Sequence, residues 1–304
     1  MSAETEALLA GLRPRAFSIA YRMLGSVSDA EDVVQEALLR VHAALAAGER
    51  LESPPAYAAT VVTRLAIDQL RSARVRRERY VGEWLPEPIV AEDEAGPADE
   101  AELADSLSLA FLVVLERLTP EQRAVLLLRD VFDYRFAEVA TIVGRSEPAV
   151  RQLAVRARRA IEEGRPRFET SREQRTELAH RFFAAAREGD LAQLEALLAG
   201  DVVLHGDGGG KAPALARPVE GRARVARTLL AWVRAGARIA GAVIREVTVN
   251  GEPGAMLLDG EGRVISVIGL EISGGQVRSL RSIVNPDKLA HLGEVADVSA
   301  HLGR

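Results

Sequence analysis

Apolar residues recur at helical spacing through roughly the first eighty positions of the chain, and strict apolar/polar alternation is confined to its last third. Within the helical part, "SDAE", Ser28 to Glu31, reads as a capping box that opens a stripe of Val33, Val34, Ala37, Leu38 and Val41. Asp32, Gln35 and Glu36 lie on the opposite side of that helix. A further helix is predicted from about Ala56 to Arg74, ending in an arginine cluster. The periodicity then fails. "EWLPEPIVAEDEAGPADE" combines three prolines with acids and fits neither period, so it reads as a linker. Inside it, Trp84 and Leu85 sit beside Pro86 and Pro88 as a stiff apolar hook, better suited to docking than to floating in solvent.

Helical spacing resumes near Asp99 and runs to about Glu163. "TPEQ", Thr119 to Gln122, is a capping box with Pro120 at the first helical position. After it, a short helix bearing Val139, Ala140 and Val143 meets Gly144, and Ser146 caps a second helix that turns Val150, Leu153 and Ala157 inward. Short helix, glycine turn and capped helix describe a helix-turn-helix. Its outward residues are Arg151, Gln152, Val155, Arg156 and Arg159. Arginine and glutamine suit guanine and adenine edges, and the later arginines suit phosphates. From about Arg172 two more helices lead into short strands near Val202 to His205, a helix near Arg222 to Arg234, and three alternating runs broken by glycine pairs. This is the pattern of an α+β unit with a bent sheet.

Charge sharpens the division. The net charge of −5 hides strong segregation. Arg71 to Arg79 holds five arginines and one acid, Glu83 to Asp105 holds nine acids and no base, and Arg151 to Arg167 holds six arginines. Two basic patches flanking an acidic connector point to two phosphate-facing surfaces. The absence of cysteine removes disulfides, thiol catalysis and thiolate metal sites, and five scattered histidines make a zinc site a poor reading; no cofactor is called for. No apolar run approaches the roughly 18 residues of a membrane span, and the start lacks the order of a secretory signal, so a cytoplasmic protein is expected.

The order of these segments is more restrictive than any one of them. "AYRMLGSVSDAEDVVQEALLRVH" with "AYAATVVTRLAIDQLRSARVRRERY" resembles region two of extracytoplasmic-function (ECF) sigma factors, and "LERLTPEQRAVLLLRDVFDYRFAEVATIVGRSEPAVRQLAVRARRAI" resembles their region four. The remainder looks like the cone-shaped SnoaL-like fold. "WLPEP", "DGGGK" and "NPDKL" together resemble the subgroup with a fused SnoaL-like extension. The implied architecture is multidomain: two all-α sigma domains, 1–80 and 105–167, joined by a linker, 81–104, and followed by an α+β SnoaL-like domain, 168–304. The resemblance implies binding to core RNA polymerase through Asp32, Gln35 and Glu36. It implies −35 promoter recognition through Arg151, Gln152, Val155 and Arg156, with Arg159 beside them. Near the −10 element it implies phosphate contacts by Arg71, Arg74, Arg76 and Arg77. Arg64 is a further candidate near the −10 element, but it stands where many relatives carry Asn, which puts a base contact there in doubt. A DNA-binding regulator acting without polymerase and a SnoaL-like enzyme or ligand sensor on a DNA-binding partner remain the rival readings, and the C-terminal domain could take a small ligand.

"HGDGGGKAPA", His205 to Ala214, contains one of the chain's two lysines, Lys211; the other, Lys288, lies in "NPDKL". The loop lacks the spacing of a Walker phosphate loop. His205 and Asp207 are candidates for moving a proton, yet no oxyanion partner is recognisable. The resemblance favours a lock. In it Gly208, Gly209 and Gly210 would permit close backbone approach, Asp207, Lys211, Asp287 and Lys288 would supply charge, and Asn285, Pro286 and Leu289 would complete the second motif. A plain turn and a plain helix start are the alternatives.

Overall fold

A computed structural model describes residues 3–77, 80–91, 107–162 and 171–298, with the side chains of 73–77 outside that set. The chain forms two compact units, one from Met1–Arg79 with Phe111–Arg165 and one from Tyr80–Ala110 with Pro166–Arg304.

The first unit is helical. Helices α1 (Ala3–Leu24), α2 (Val27–Ala46) and α3 (Pro54–Arg77) pack together around residues such as Leu12, Val41 and Ala58. The start of α2 corrects the sequence reading. Gly25, at φ +66°, ends α1, and the extended Ser26 then accepts the Asp29 amide at 3.1 Å, so Ser26 is the cap and Ser28 already lies inside the helix. Of the apolar stripe, Val33, Val34, Ala37 and Val41 are buried and Leu38 is half-buried. Helix α4 (Leu109–Leu115) precedes α5 (Pro120–Leu126), whose Thr119–Gln122 capping box has both halves in place. A π-helical turn, Leu127–Val131, leads to α6 (Phe136–Val143). Gly144, at φ +69°, closes α6, and α7 (Glu147–Ile161) follows. Their core includes Val125, Leu128, Val139, Ile142, Val150 and Ala154.

The second unit is built on a seven-stranded sheet in the order β1-β4-β5-β6-β7-β2-β3. Helices α8 (Arg172–Glu188) and α9 (Leu191–Leu197) come first, then β2 (Leu198–Asp207), β3 (Val219–Glu220), α10 (Arg222–Gly236), β4 (Val243–Val249), β5 (Glu252–Leu258), β6 (Val264–Ser273), β7 (Gln276–Ile283) and a single turn, α11 (Pro286–Leu289). The three helices cover the sheet over a core that includes Phe182, Phe183, Leu194, Val225, Leu270 and Leu280. Strands β2 and β7 pair in parallel, which brings the ends of "HGD" and "RSIVN" side by side: His205 faces Arg281 and Asp207 faces Ile283. The segment read as a structureless linker supplies β1 (Val90–Ala91), whose residues pair with Val249 and Thr248 of β4. Its sequence gave no strand period because two residues are too few to show one.

Candidate functional site

The helix-turn-helix presents the face that its periodicity requires. Val150, Ala154, Ala157 and Ile161 of α7 are buried, while Arg151, Gln152, Val155, Arg156 and Arg159 are exposed. Val155 is 65% exposed. It is an apolar side chain open to water between Arg151, Arg156 and Arg159. Arg151 is held in place by Glu147 at 2.6 Å and lies over the Phe136 ring at 4.4 Å. Arg158, by contrast, is turned back onto Asp130 through two bonds of 2.6 and 2.9 Å.

On α2, Asp32, Gln35 and Glu36 are exposed, and Glu36 pairs with Arg40 at 2.8 Å. Leu39, 56% exposed, completes the i, i+3, i+4, i+7 series from Asp32. The face is therefore acidic with one apolar side chain in it.

Arg64 and Arg71 of α3 are not bare. Arg64 donates from Nε to the Ile142 carbonyl and from Nη2 to the Thr141 carbonyl, both at 3.0 Å, so a cation sits on the last turn of α6, where the helix dipole favours it. Arg71 bonds Glu121 at 2.5 Å and Asp68 at 3.1 Å, and the Glu121 hydrogen bond and charge raise its pKa further. Arg74, Arg76 and Arg77 have side chains outside the described residues. A buried Arg123 ties α5 to α1 and to the end of α4: its guanidinium reaches the carbonyls of Met23 at 2.6 Å and Leu115 at 2.7 Å and the Glu116 carboxylate at 2.8 Å. Burial pulls its pKa down to about 9, still leaving it charged at neutral pH.

In the second unit, Asp207 is fully buried and its carboxylate accepts four donors. Oδ1 takes the Tyr80 hydroxyl at 2.5 Å and the Gly209 amide at 3.1 Å; Oδ2 takes the Leu85 amide at 2.8 Å and the Lys288 ammonium at 2.6 Å. Four donors fill the acceptor capacity of a carboxylate, so no lone pair is left for a general base. Lys288 also donates to the Leu85 carbonyl and sits 4.3 Å from the centre of the Trp84 ring and 4.9 Å from that of Tyr80. The hook is thus closed at backbone and side chain: Leu85 through Pro88 are buried. Asn285 caps α11 through the Asp287 amide at 3.1 Å and gives its own amide to the Tyr80 oxygen at 2.8 Å. A side chain on Gly209 would overlap the Asn285 amide, and one on Gly208 would overlap the Ala212 carbonyl; Gly209 and Gly210 have φ of +58° and +72°. Glycine is required here by both contact and conformation. Lys211 and Asp287 form an exposed pair at 2.6 Å, and Leu289 is buried. His205, the other proton-transfer candidate, bonds Glu83 at 2.7 Å.

Residues 8–76 match Sigma-70 region 2, residues 108–161 match Sigma-70 region 4, and residues 179–284 match the SnoaL-like domain. The chain is 42% identical over 287 residues to the ECF RNA polymerase sigma factor SigJ of Mycobacterium tuberculosis, covering 91% of this chain and 90% of that one. The chain belongs to the ECF RNA polymerase sigma factor family. A second relative, a probable ECF RNA polymerase sigma factor SigI of the same species, is 32% identical over 274 residues, with 89% and 90% coverage. The crystal structure of M. tuberculosis SigJ superposes with a TM-score of 0.75 at 38% identity, spanning 94% of this chain and 98% of that one.

Several residues that hold this sigma factor's second unit together were not singled out by sequence. Tyr80, one residue before the assigned linker, joins Asp207 to Asn285. Asn250, at φ +53° in the β4–β5 turn, accepts the Ile89 amide, donates its backbone amide to the Ile89 carbonyl, and donates its side-chain amide to the Leu107 carbonyl. His291 contacts the Pro88 carbonyl at 2.8 Å. "VNG" at 249–251 was a legible turn signal, but nothing local says that a turn asparagine will grip a segment 161 residues earlier. Leu39 was legible too, as an apolar position outside the stripe of α2.

Proposed function

We propose that this chain binds core RNA polymerase and directs it to particular promoters, and that its C-terminal domain modulates that activity by holding the connection between the two sigma modules. The observation that carries the first part is the exposed face of α7, where Arg151, Gln152, Val155, Arg156 and Arg159 stand on a helix fixed by its opposite, buried side. Those residues take the −35 element. Arg64, Arg71, Arg74, Arg76 and Arg77 take the DNA near the −10 element, and Asp32, Gln35 and Glu36, with Leu39, meet the polymerase. The functional domains in this reading are 1–80, 105–167 and 168–304, working in the cytoplasm where polymerase and promoter are found.

The second part rests on the Asp207 cluster and on Asn250. Residues 80–91 are fastened to the C-terminal sheet, and Leu107 to Leu109 are fastened to it again through the Asn250 bond and the space over Gly269, where a side chain would come within 3.1 Å of Leu109. Residues 80–91 and 107–109 are therefore held on the sheet and are not part of a solvated tether. With Asp207 saturated and His205 engaged by Glu83, the domain is read as a binding and bracing part and not as an enzyme; a small ligand is the natural input to it. Run-off transcription with core polymerase tests the proposal. Transcripts from a defined promoter support it, and their loss on charge reversal of Asp32 and Glu36 with helicity retained supports the polymerase assignment. Failure to associate with core polymerase would overturn both.

A further inference from the structure

Gly221 to Ala242, the stretch that forms α10 and the turns after it, holds five arginines and no acid. Four of them share one line. Arg224, Arg227 and Arg234 stand on α10, and Arg238 stands on the next turn, where its amide bonds the Ala235 carbonyl at 3.1 Å; all four are exposed. At about 100° per residue they fall within an arc of roughly 80°. Val225, Ala226, Leu229 and Leu230 are buried on the side away from it. The one gap in the row is filled by Ala231, also exposed, whose methyl group obstructs nothing. Among the described residues none of the four guanidinium groups has an ion pair.

Helix stability does not call for this arrangement. Like charges three and four residues apart repel, and Arg224 and Arg227 lie toward the N-terminal end, where the helix dipole disfavours cations. The first turn of α10 has no acid, and its cap, Gly221, offers no side chain. On α8, by contrast, Glu173, Glu177 and Glu188 stand among four arginines, and Arg187 pairs with Glu246 at 2.8 Å. A row of cations set against the local rules, on one helix of the domain, points to a counter-charge from another molecule.

That molecule must be anionic along a line. From Arg224 to Arg238 the row is about 20 Å long, and a duplex presents one charge per about 1.7 Å of its axis, so about a dozen charges lie along that length. No aromatic side chain stands in the row, which therefore lacks the stacking platform that holds single strands. We propose that α10 is a docking surface for the phosphate backbone of duplex DNA, in addition to the face of α7. Contacts to phosphate carry no sequence information, so this surface adds affinity and orientation and leaves base reading to other residues.

Fluorescence anisotropy of the full-length protein with a short labelled duplex of non-promoter sequence, without polymerase and over a series of salt concentrations, tests this surface apart from promoter reading. The variant Arg224→Gln/Arg227→Gln/Arg234→Gln/Arg238→Gln should bind about tenfold or more weakly at low salt. The slope of log affinity against log salt should become shallower by about 3.6, at about 0.9 for each lost phosphate contact. Its thermal unfolding should occur at or above the wild-type temperature, because repelling neighbours have been removed. Ala231→Glu, which puts an anion in the middle of the row, should weaken binding roughly threefold or more. Arg278→Gln makes the same change of net charge on β7, where the arginine already serves Asp201 at 3.3 Å, and should leave affinity within about twofold. Absence of wild-type binding at low salt, a slope unaltered in the quadruple variant, or equal effects of Ala231→Glu and Arg278→Gln would overturn the proposal. So would a destabilised quadruple variant, which would give the row a structural role, or displacement of the duplex by poly-L-glutamate at equal charge, which would assign the row to an acidic protein.

Discussion

Lys288 and Asp207 meet at 2.6 Å with side chains 7% and 0% exposed, an ion pair drawn from the two short motifs at the ends of the paired strands β2 and β7. Taking two charges out of water is offset here because every polar atom of the carboxylate is bonded and the ammonium also faces a carbonyl and two aromatic rings. Breaking one side leaves the other charge buried alone. Lys288→Ala should cost about 3–5 kcal/mol of the stability of the second unit. Lys211→Ala, removing the exposed pair to Asp287, should cost under about 1 kcal/mol. Urea unfolding followed by Trp84 fluorescence makes the comparison, and equal effects for the two lysines would refute the assignment of Lys288 to the centre of the cluster.

Tyr80 supplies a pH signature. Burial, and then its hydrogen bond to Asp207, push its pKa well above the ordinary value of about 10. A group that binds its proton more tightly in the folded state stabilises that state fully below its unfolded pKa, and loses the contribution as pH rises toward the folded value. Stability should therefore fall above about pH 10, and Tyr80→Phe should flatten that part of the curve. The chain has four tyrosines. In an absorbance titration at alkaline pH one of them should stay protonated until the protein unfolds; ionisation of all four in the folded protein near pH 10 would contradict the geometry.

For the helix-turn-helix, Arg156 on the α7 face makes one long contact of 3.4 Å to the Gln152 carbonyl, whereas Arg151 must keep or exchange its bond to Glu147. Arg156→Ala should cost about 1–3 kcal/mol of binding at the −35 element and leave polymerase association unchanged. Unaltered discrimination between −35 sequences, in both the Arg151 and Arg156 alanine variants, would remove these residues from promoter reading.

Where a side chain's role is set by its own helix, the sequence was sufficient. The exposed set on α7 and the buried stripe on α2 follow from a 3.6-residue period, and the Thr119 box follows from hydrogen bonds spanning three residues. The capping of α2 was misplaced by two residues because Ser26 and Ser28 are both competent caps, and only the left-handed turn at Gly25 decides between them. Long-range closure was partly visible: "DGGGK", "NPDKL" and "WLPEP" stood out, but the pairing of Asp207 with Lys288 and Tyr80 needs the parallel alignment of β2 with β7, which no local pattern encodes. The two-residue strand β1 was invisible because it is too short to show a period.

Arg64 and Arg71 carry the last expectation. Both were assigned by sequence to DNA near the −10 element, and both are engaged with the helices of the −35 module, Arg64 on the Thr141 and Ile142 carbonyls and Arg71 on Glu121. The donors that hold a helix end or Glu121 are not open to a phosphate, so DNA engagement through those donors requires α3 to part from α5 and α6. Glu121 competes with DNA for Arg71 as a fixed anion. Glu121→Gln should thus raise affinity for promoter DNA about two- to fivefold at low salt, an effect of under about 1 kcal/mol that salt erases, as for other exposed pairs. Arg64→Ala should lengthen the mean distance between spin labels on α3 and α7 while lowering −10 binding, because one residue serves both states. If Arg64→Ala leaves the label distances unchanged and Glu121→Gln leaves DNA affinity unchanged, the packing of α3 on α5 and α6 places no restraint on promoter binding, and the arginines near the −10 element act from the arrangement already seen.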